Sequence, residues 1–155
     1  MARKSSVIIA VLVASTLAVI GMASAHAATQ VPFTITETNI VFVEGSDYGD
    51  FTATGPLCPA GTFLDTYRAL AGLEGQHFQH ALETVLTETV YTCADGSGTF
   101  NMQKHIRLVA LPPGIDNTGP VSLQGGTGTY TGLTGHGVDD GANGVGHISG
   151  TIVQP

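Results

Sequence analysis

Short runs of alternating apolar and polar residues fill the chain beyond about residue 30, separated by glycine, proline, asparagine or aspartate. Val31-Pro32-Phe33-Thr34-Ile35-Thr36 has the period of two that marks a strand with one buried face. Asn39 to Val43 and Asp50 to Thr54 predict two more strands, with Gly45-Ser46-Asp47 as the turn between them. Gly55-Pro56 and Cys58-Pro59-Ala60-Gly61 interrupt the pattern, and Thr62 to Arg68 predicts a further short strand. The clearest unit is a hairpin, with arms from Thr84 to Cys93 and from Thr99 to Val109 joined by Ala94-Asp95-Gly96-Ser97-Gly98.

Even positions of both arms are mostly apolar: Leu86 and Val90, then Phe100, Met102, Ile106 and Leu108. Odd positions are mostly polar: Thr87 and Thr89, then Asn101, Gln103, His105 and Arg107. This parity predicts an even-numbered core face and an odd-numbered solvent face. Residues 69–86 leave two alternatives open. Phe78, Ala81, Leu82, Val85 and Leu86 fit a helical stripe, whereas the β-branched run Thr87, Thr89, Val90 and Thr92 favours strand beyond it.

After Pro112-Pro113 the composition changes. From Gly125 to Gly150, glycine recurs every two to four residues between Thr, Tyr130, Leu133, Val138, Val145 and Ile148. A flexible linker lacks such apolar and β-branched residues. Glycine within strands marks bulges, coiling and close backbone approach, which a closing sheet requires.

Ahead of the β-patterned region stands a different kind of segment. Basic Met1-Ala2-Arg3-Lys4, the apolar run Val7 to Ile20, and the small residues Gly21 to Ala28 have the order of a secretory signal peptide. Cleavage is expected after Ala25 or Ala27, leaving residues 28–155 as one secreted domain, extracellular or on the exterior of the cell envelope. No later run is long and apolar enough to span a membrane as a helix, so a soluble mature protein is expected. The positive mean hydropathy, +0.25, partly reflects the leader.

Without the leader, Arg68, Lys104 and Arg107 face twelve carboxylates, so three cations against twelve anions leave a formal charge of −9. Such a surface repels nucleic acid and anionic lipid, and neither is expected as a partner. Cys58 and Cys93 are the only cysteines, and in an oxidising compartment they are expected to pair.

The segment Gly125-Gly126-Thr127-Gly128-Thr129-Tyr130-Thr131-Gly132-Leu133-Thr134-Gly135-His136-Gly137 resembles one found in allene oxide cyclase and dirigent-type β-barrels. There, a G-x-G-x-Y/F-x-G-x-x-G stretch leads into a late barrel strand. The hairpin Tyr91 to Phe100 looks like one in small secreted bacterial proteins with the same ending. The resemblance implies an all-β fold, a small antiparallel barrel of about eight strands, with a homo-oligomer as in those relatives. It transfers no catalytic residue, because glycines fix backbone shape and one fold serves many activities.

Two charged residues interrupt the hairpin's even-numbered face, Glu88 and Lys104. A register symmetric about Gly96 would set them opposite each other, either as a lining for a ligand or as a structural pair near the barrel end. His77-Phe78-Gln79-His80, with Glu83 nearby, lacks a third metal ligand at a recognised spacing. Asp139-Asp140-Gly141-Ala142-Asn143-Gly144 lacks the order of a calcium loop and is expected to be a plain turn. No P-loop, dinucleotide fingerprint or nucleophile elbow is present, so neither a metal nor a cofactor is implied. The functional expectation is a non-catalytic module that holds a small apolar or amphipathic ligand, or a structural module. The alternative is an isomerase or cyclase of the allene oxide cyclase type.

Overall fold

The computed structural model describes residues 29–154 apart from 44, 70–81 and 112–113. The expected leader, His77 and His80 lie outside the described residues, as does most of the stretch in which helix and strand competed. From Leu82 onward that stretch is strand.

Eight strands form a closed antiparallel barrel: β1 (Thr29–Val43), β2 (Ser46–Thr54), β3 (Ala60–Ala69), β4 (Leu82–Cys93), β5 (Thr99–Leu111), β6 (Gly114–Gly126), β7 (Thr134–Ala142) and β8 (Gly146–Gln154). Each strand pairs with the next in sequence, and β8 closes onto β1 from Thr29↔Gln154 to Glu37↔Gly146. Such a meander alternates its connections between two ends. The β1–β2, β3–β4, β5–β6 and β7–β8 connections lie at one end, here the upper; the remaining three, with residues 29 and 154, lie at the lower end.

The lower half of the interior is a packed core. Phe33, Phe51, Tyr91, Phe100, Leu123 and Ile152 are buried there, one residue in two along each strand. Tyr91 stacks on Phe100 at 4.6 Å between centroids, and Phe51 meets both rings edge-on at 5.1 and 5.7 Å. Cys58, in the β2–β3 connection, and Cys93, at the end of β4, form a disulfide with Cα atoms 5.9 Å apart. Beside it, a short 3-10 turn (Gly128–Tyr130) between β6 and β7 buries Tyr130 against Phe100.

The glycine-rich segment makes this closure possible. Gly98 and Gly128 have positive φ, and their two loops touch backbone to backbone, so a Cβ at either would strike the other loop's carbonyl. On the inner wall, Gly137 and Gly150 pair across β7 and β8, and the Phe33 ring occupies the space that a side chain at Gly150 would need.

Two expectations of register are corrected. Thr87, not Glu88, stands opposite Lys104, because Thr92 pairs with Thr99 and every even residue of β4 therefore faces an odd residue of β5. The inward face of β4 is odd-numbered and carries Val85, Thr87, Thr89 and Tyr91, with both threonines fully buried. The predicted turn Gly45-Ser46-Asp47 contracts around Gly45, and Ser46 and Asp47 belong to β2. Outer faces are largely polar, apart from Val43, Val138 and the in-register row Val41, Tyr48, Leu64 and Val90.

Candidate functional site

Above the aromatic core the inward positions turn polar. Glu37 continues the buried phase of Phe33 and Ile35 on β1; Asp65 lies between Phe63 and Tyr67 on β3; Lys104 lies between Met102 and Ile106 on β5. Asp47 faces inward from β2 and Asp139 from β7. These residues floor a cavity of about 380 Å³, whose walls include Ile40, Phe42, Val85, Ile106, Leu108 and Val145. Gly146 leaves room for the Glu37 carboxylate, which a Cβ there would crowd.

Lys104 is 1 % exposed and is the only inward-facing cation among the described residues. Its Nζ donates to Glu37 Oε1 at 2.6 Å and to Asp65 Oδ2 at 3.3 Å, and it lies 5.8 Å from the ring centroids of both Phe63 and Tyr91. The Tyr91 hydroxyl also donates to Glu37 Oε1, joining the aromatic core to the charged floor. Asn117 Nδ2 donates to Asp139 Oδ1 at 3.0 Å.

These contacts do not satisfy the floor. Asp47 Oδ1, Asp65 Oδ1, Asp139 Oδ2 and the Thr87 and Thr89 hydroxyls are buried without a hydrogen-bond partner. Burial, reinforced by the Asp65 carboxylate, pushes Asp47 up to about 7. Burial also lifts Asp139 to about 7, against the pull of Lys104, and moves Asp65 upward in the same way. Desolvation works against the Lys104 ammonium, but the carboxylates of Glu37 and Asp65 outweigh it and hold the group charged. The Tyr67 and Tyr91 hydroxyls are raised, first by burial, and stay neutral donors. The chamber therefore has an apolar wall, one fixed cation and two carboxyls, Asp47 and Asp139, that exchange protons near neutrality.

Lys104 lines this chamber, and Glu88 does not. Glu88 points outward and pairs with Arg68 at 3.0 Å on an open surface. The expected Glu88–Lys104 pair is replaced by Lys104 with Glu37 and Asp65, which reach it from strands outside the hairpin. The predicted Asp139-Asp140 turn is also corrected: both residues are in β7, with Asp139 inward and Asp140 outward, and the turn lies at Asn143-Gly144. Side chains on opposite faces cannot share one ion. Among the described residues, no three His, Cys, Asp or Glu side chains converge as metal ligands.

Part of the floor was marked in sequence. Glu37 and Asp65 each fall on the apolar phase of their own strand, as Lys104 does. Asp139 carries no such mark, because its inward neighbours Gly135, Gly137 and Gly141 have no side chains to reveal the phase. No protein-family model, curated protein or solved structure matches the chain.

Proposed function

We propose that this protein is an exported, non-catalytic barrel that holds one small amphipathic molecule in its upper half. The observation that carries the reading is the chamber itself. At about 380 Å³ it falls within the range of roughly 300–1,000 Å³ typical of small-molecule sites. Apolar walls above a floor of unpartnered acceptors suit an amphipathic occupant better than a purely apolar one. The polar outer face and apolar inner core are the reverse of a lipid-embedded barrel, which supports a water-soluble module. The disulfide supports an oxidising compartment, in keeping with the leader-like N-terminal segment.

Native mass spectrometry of protein recovered outside the cell tests this directly. The expected result is a chain beginning at His26 or Ala28, with its disulfide intact and a small molecule retained. An exported chain still beginning at Met1 would refute the cleavage. A folded barrel that neither retains nor takes up any small molecule would refute the binding role.

A second reading, an isomerase or cyclase like the allene oxide cyclases, is favoured by one observation. Asp47 and Asp139, both raised to about 7, have the acidity that general acid–base catalysis uses. Turnover of a bound ligand that is abolished by Asp139→Asn, with binding retained, would select that reading.

A further inference from the structure

We infer that the molecule held in the chamber carries an organic ammonium group, seated against the floor with its apolar part toward Ile40, Leu108 and Val145. The inference rests on the ligand-binding reading above and adds the chemical class of the ligand.

Three observations carry it. Asp139 is fully buried and Asp47 and Asp65 nearly so; all three line the chamber, and each has a buried oxygen without a hydrogen-bond partner. Once ionised, such a carboxylate only accepts, so it is completed by a donor and repelled by an anion or another acceptor. Charge gives the second argument. Among the described residues, the titratable groups facing the chamber are Glu37 from β1, Asp47 from β2, Asp65 and Tyr67 from β3, Lys104 from β5 and Asp139 from β7. Four carboxyls thus face one ammonium, which is already committed to Glu37 and Asp65. A neutral polyol would fill the hydrogen bonds but leave the charge imbalance, whereas an ammonium supplies donors and charge together. Third, among the described residues no three acidic or histidine side chains converge as metal ligands, which favours a larger cation over a bare metal ion. A larger cation with its own apolar body meets both the spacing of the floor and the walls around Ile106 and Val145.

In the empty barrel, Asp47 and Asp139 answer the imbalance by holding protons near neutrality. An arriving ammonium displaces those protons, so binding releases protons and tightens as pH rises through about 7.

Three probes of equal length test the inference on the purified protein: hexylamine, 1-hexanol and hexanoate, titrated calorimetrically and by amide NMR shifts. Hexylamine should bind at least about tenfold more tightly than hexanol, with hexanoate weakest, and should release protons in buffers of different ionisation enthalpy. Asp139→Asn and, separately, Asp47→Asn should bring hexylamine to within about twofold of hexanol, both affinities being measured on the same variant. Circular dichroism of each variant establishes that the barrel is intact, and the two sites give independent chances of a folded variant. Equal binding of amine and alcohol would overturn the ammonium inference and leave the binding module standing. Failure of all three probes to shift Ile106 or Val145 would overturn both.

Discussion

Replacing Asp139 by asparagine should stabilise the protein most in mildly alkaline buffer and progressively less as the pH falls toward about 4. Asp139 is fully buried, and its carboxyl is raised from the ordinary 3.8 to about 7, chiefly by burial. Between those values the folded protein keeps a proton that the unfolded chain has lost, so stability is highest at low pH and falls as pH rises toward about 7. About three pH units at about 1.4 kcal/mol each set a ceiling of roughly 4 kcal/mol. Of this, roughly 2–3 kcal/mol is lost between about pH 5 and pH 8.

Asparagine removes the titration and keeps an oxygen to accept from Asn117 Nδ2, so the existing 3.0 Å hydrogen bond survives. Urea unfolding at both pH values measures the difference, with the slope m as a check that the unfolded state is unchanged. The expected outcome is a gain of roughly 4 kcal/mol for Asp139→Asn at about pH 8, falling by about 2–3 kcal/mol at about pH 5 and vanishing only below about pH 4. A variant less stable than the parent at about pH 8 would refute the reasoning. It would mean that the Asp139 charge is held favourably by Lys104 instead of being tolerated at a cost.

Lys104→Met should destabilise by about 3–5 kcal/mol, since it strands buried Glu37 beside Asp65 without their cation; adding Glu37→Gln should recover part of the loss in thermal unfolding. Glu88→Gln should change stability by only about 0–1 kcal/mol and less in high salt, because the Arg68–Glu88 pair is solvent-exposed; a loss of several kcal/mol would contradict the observed register. Removing the disulfide with Cys58→Ala and Cys93→Ala should cost about 3–4 kcal/mol in the chain-entropy picture for a span of 35 residues, read by denaturant unfolding.

The all-β class was legible because period-two patterning and glycine placement are local signals that point the same way, while the barrel of about eight strands was expected only from the resemblance. Phe33 and Ile35 declare the inner phase of β1, Gly125 to Gly150 declares a tightly coiling wall, and the lone cysteine pair declares its own bond. The site was less legible, for two physical reasons. Buried Thr87 and Thr89 read as solvent-facing polar residues, although their hydroxyls and methyls lie inside, and this reversed the face assigned to Glu88. Parity also depends on how a loop is closed. Pairing Thr92 with Thr99, with Gly98 at positive φ, moves the hairpin register by one residue, and a one-residue move exchanges every side chain between faces. Lys104 kept its inward place because Phe100, Met102 and Ile106 fix the phase of β5 by themselves. Its true partners belong to β1 and β3, and no pattern within one hairpin brings them together.

A barrel of this size could be filled from end to end with side chains, and its lower half is. The upper half departs from that rule, since inward positions there carry acids whose burial weakens the fold at neutral pH. The aromatic layer and the disulfide, both at the lower end, supply stability that does not depend on the chamber. Coupling between stability and ligand then follows from the same carboxyls. Raising the pH ionises Asp47 and Asp139 and weakens the empty barrel, while preparing the floor to hold a cation. The rise in melting temperature on adding hexylamine should therefore grow between about pH 5 and pH 8, and the rise with hexanol should stay flat. A hexylamine shift independent of pH would separate the floor from the ligand and assign these acids a purely structural part.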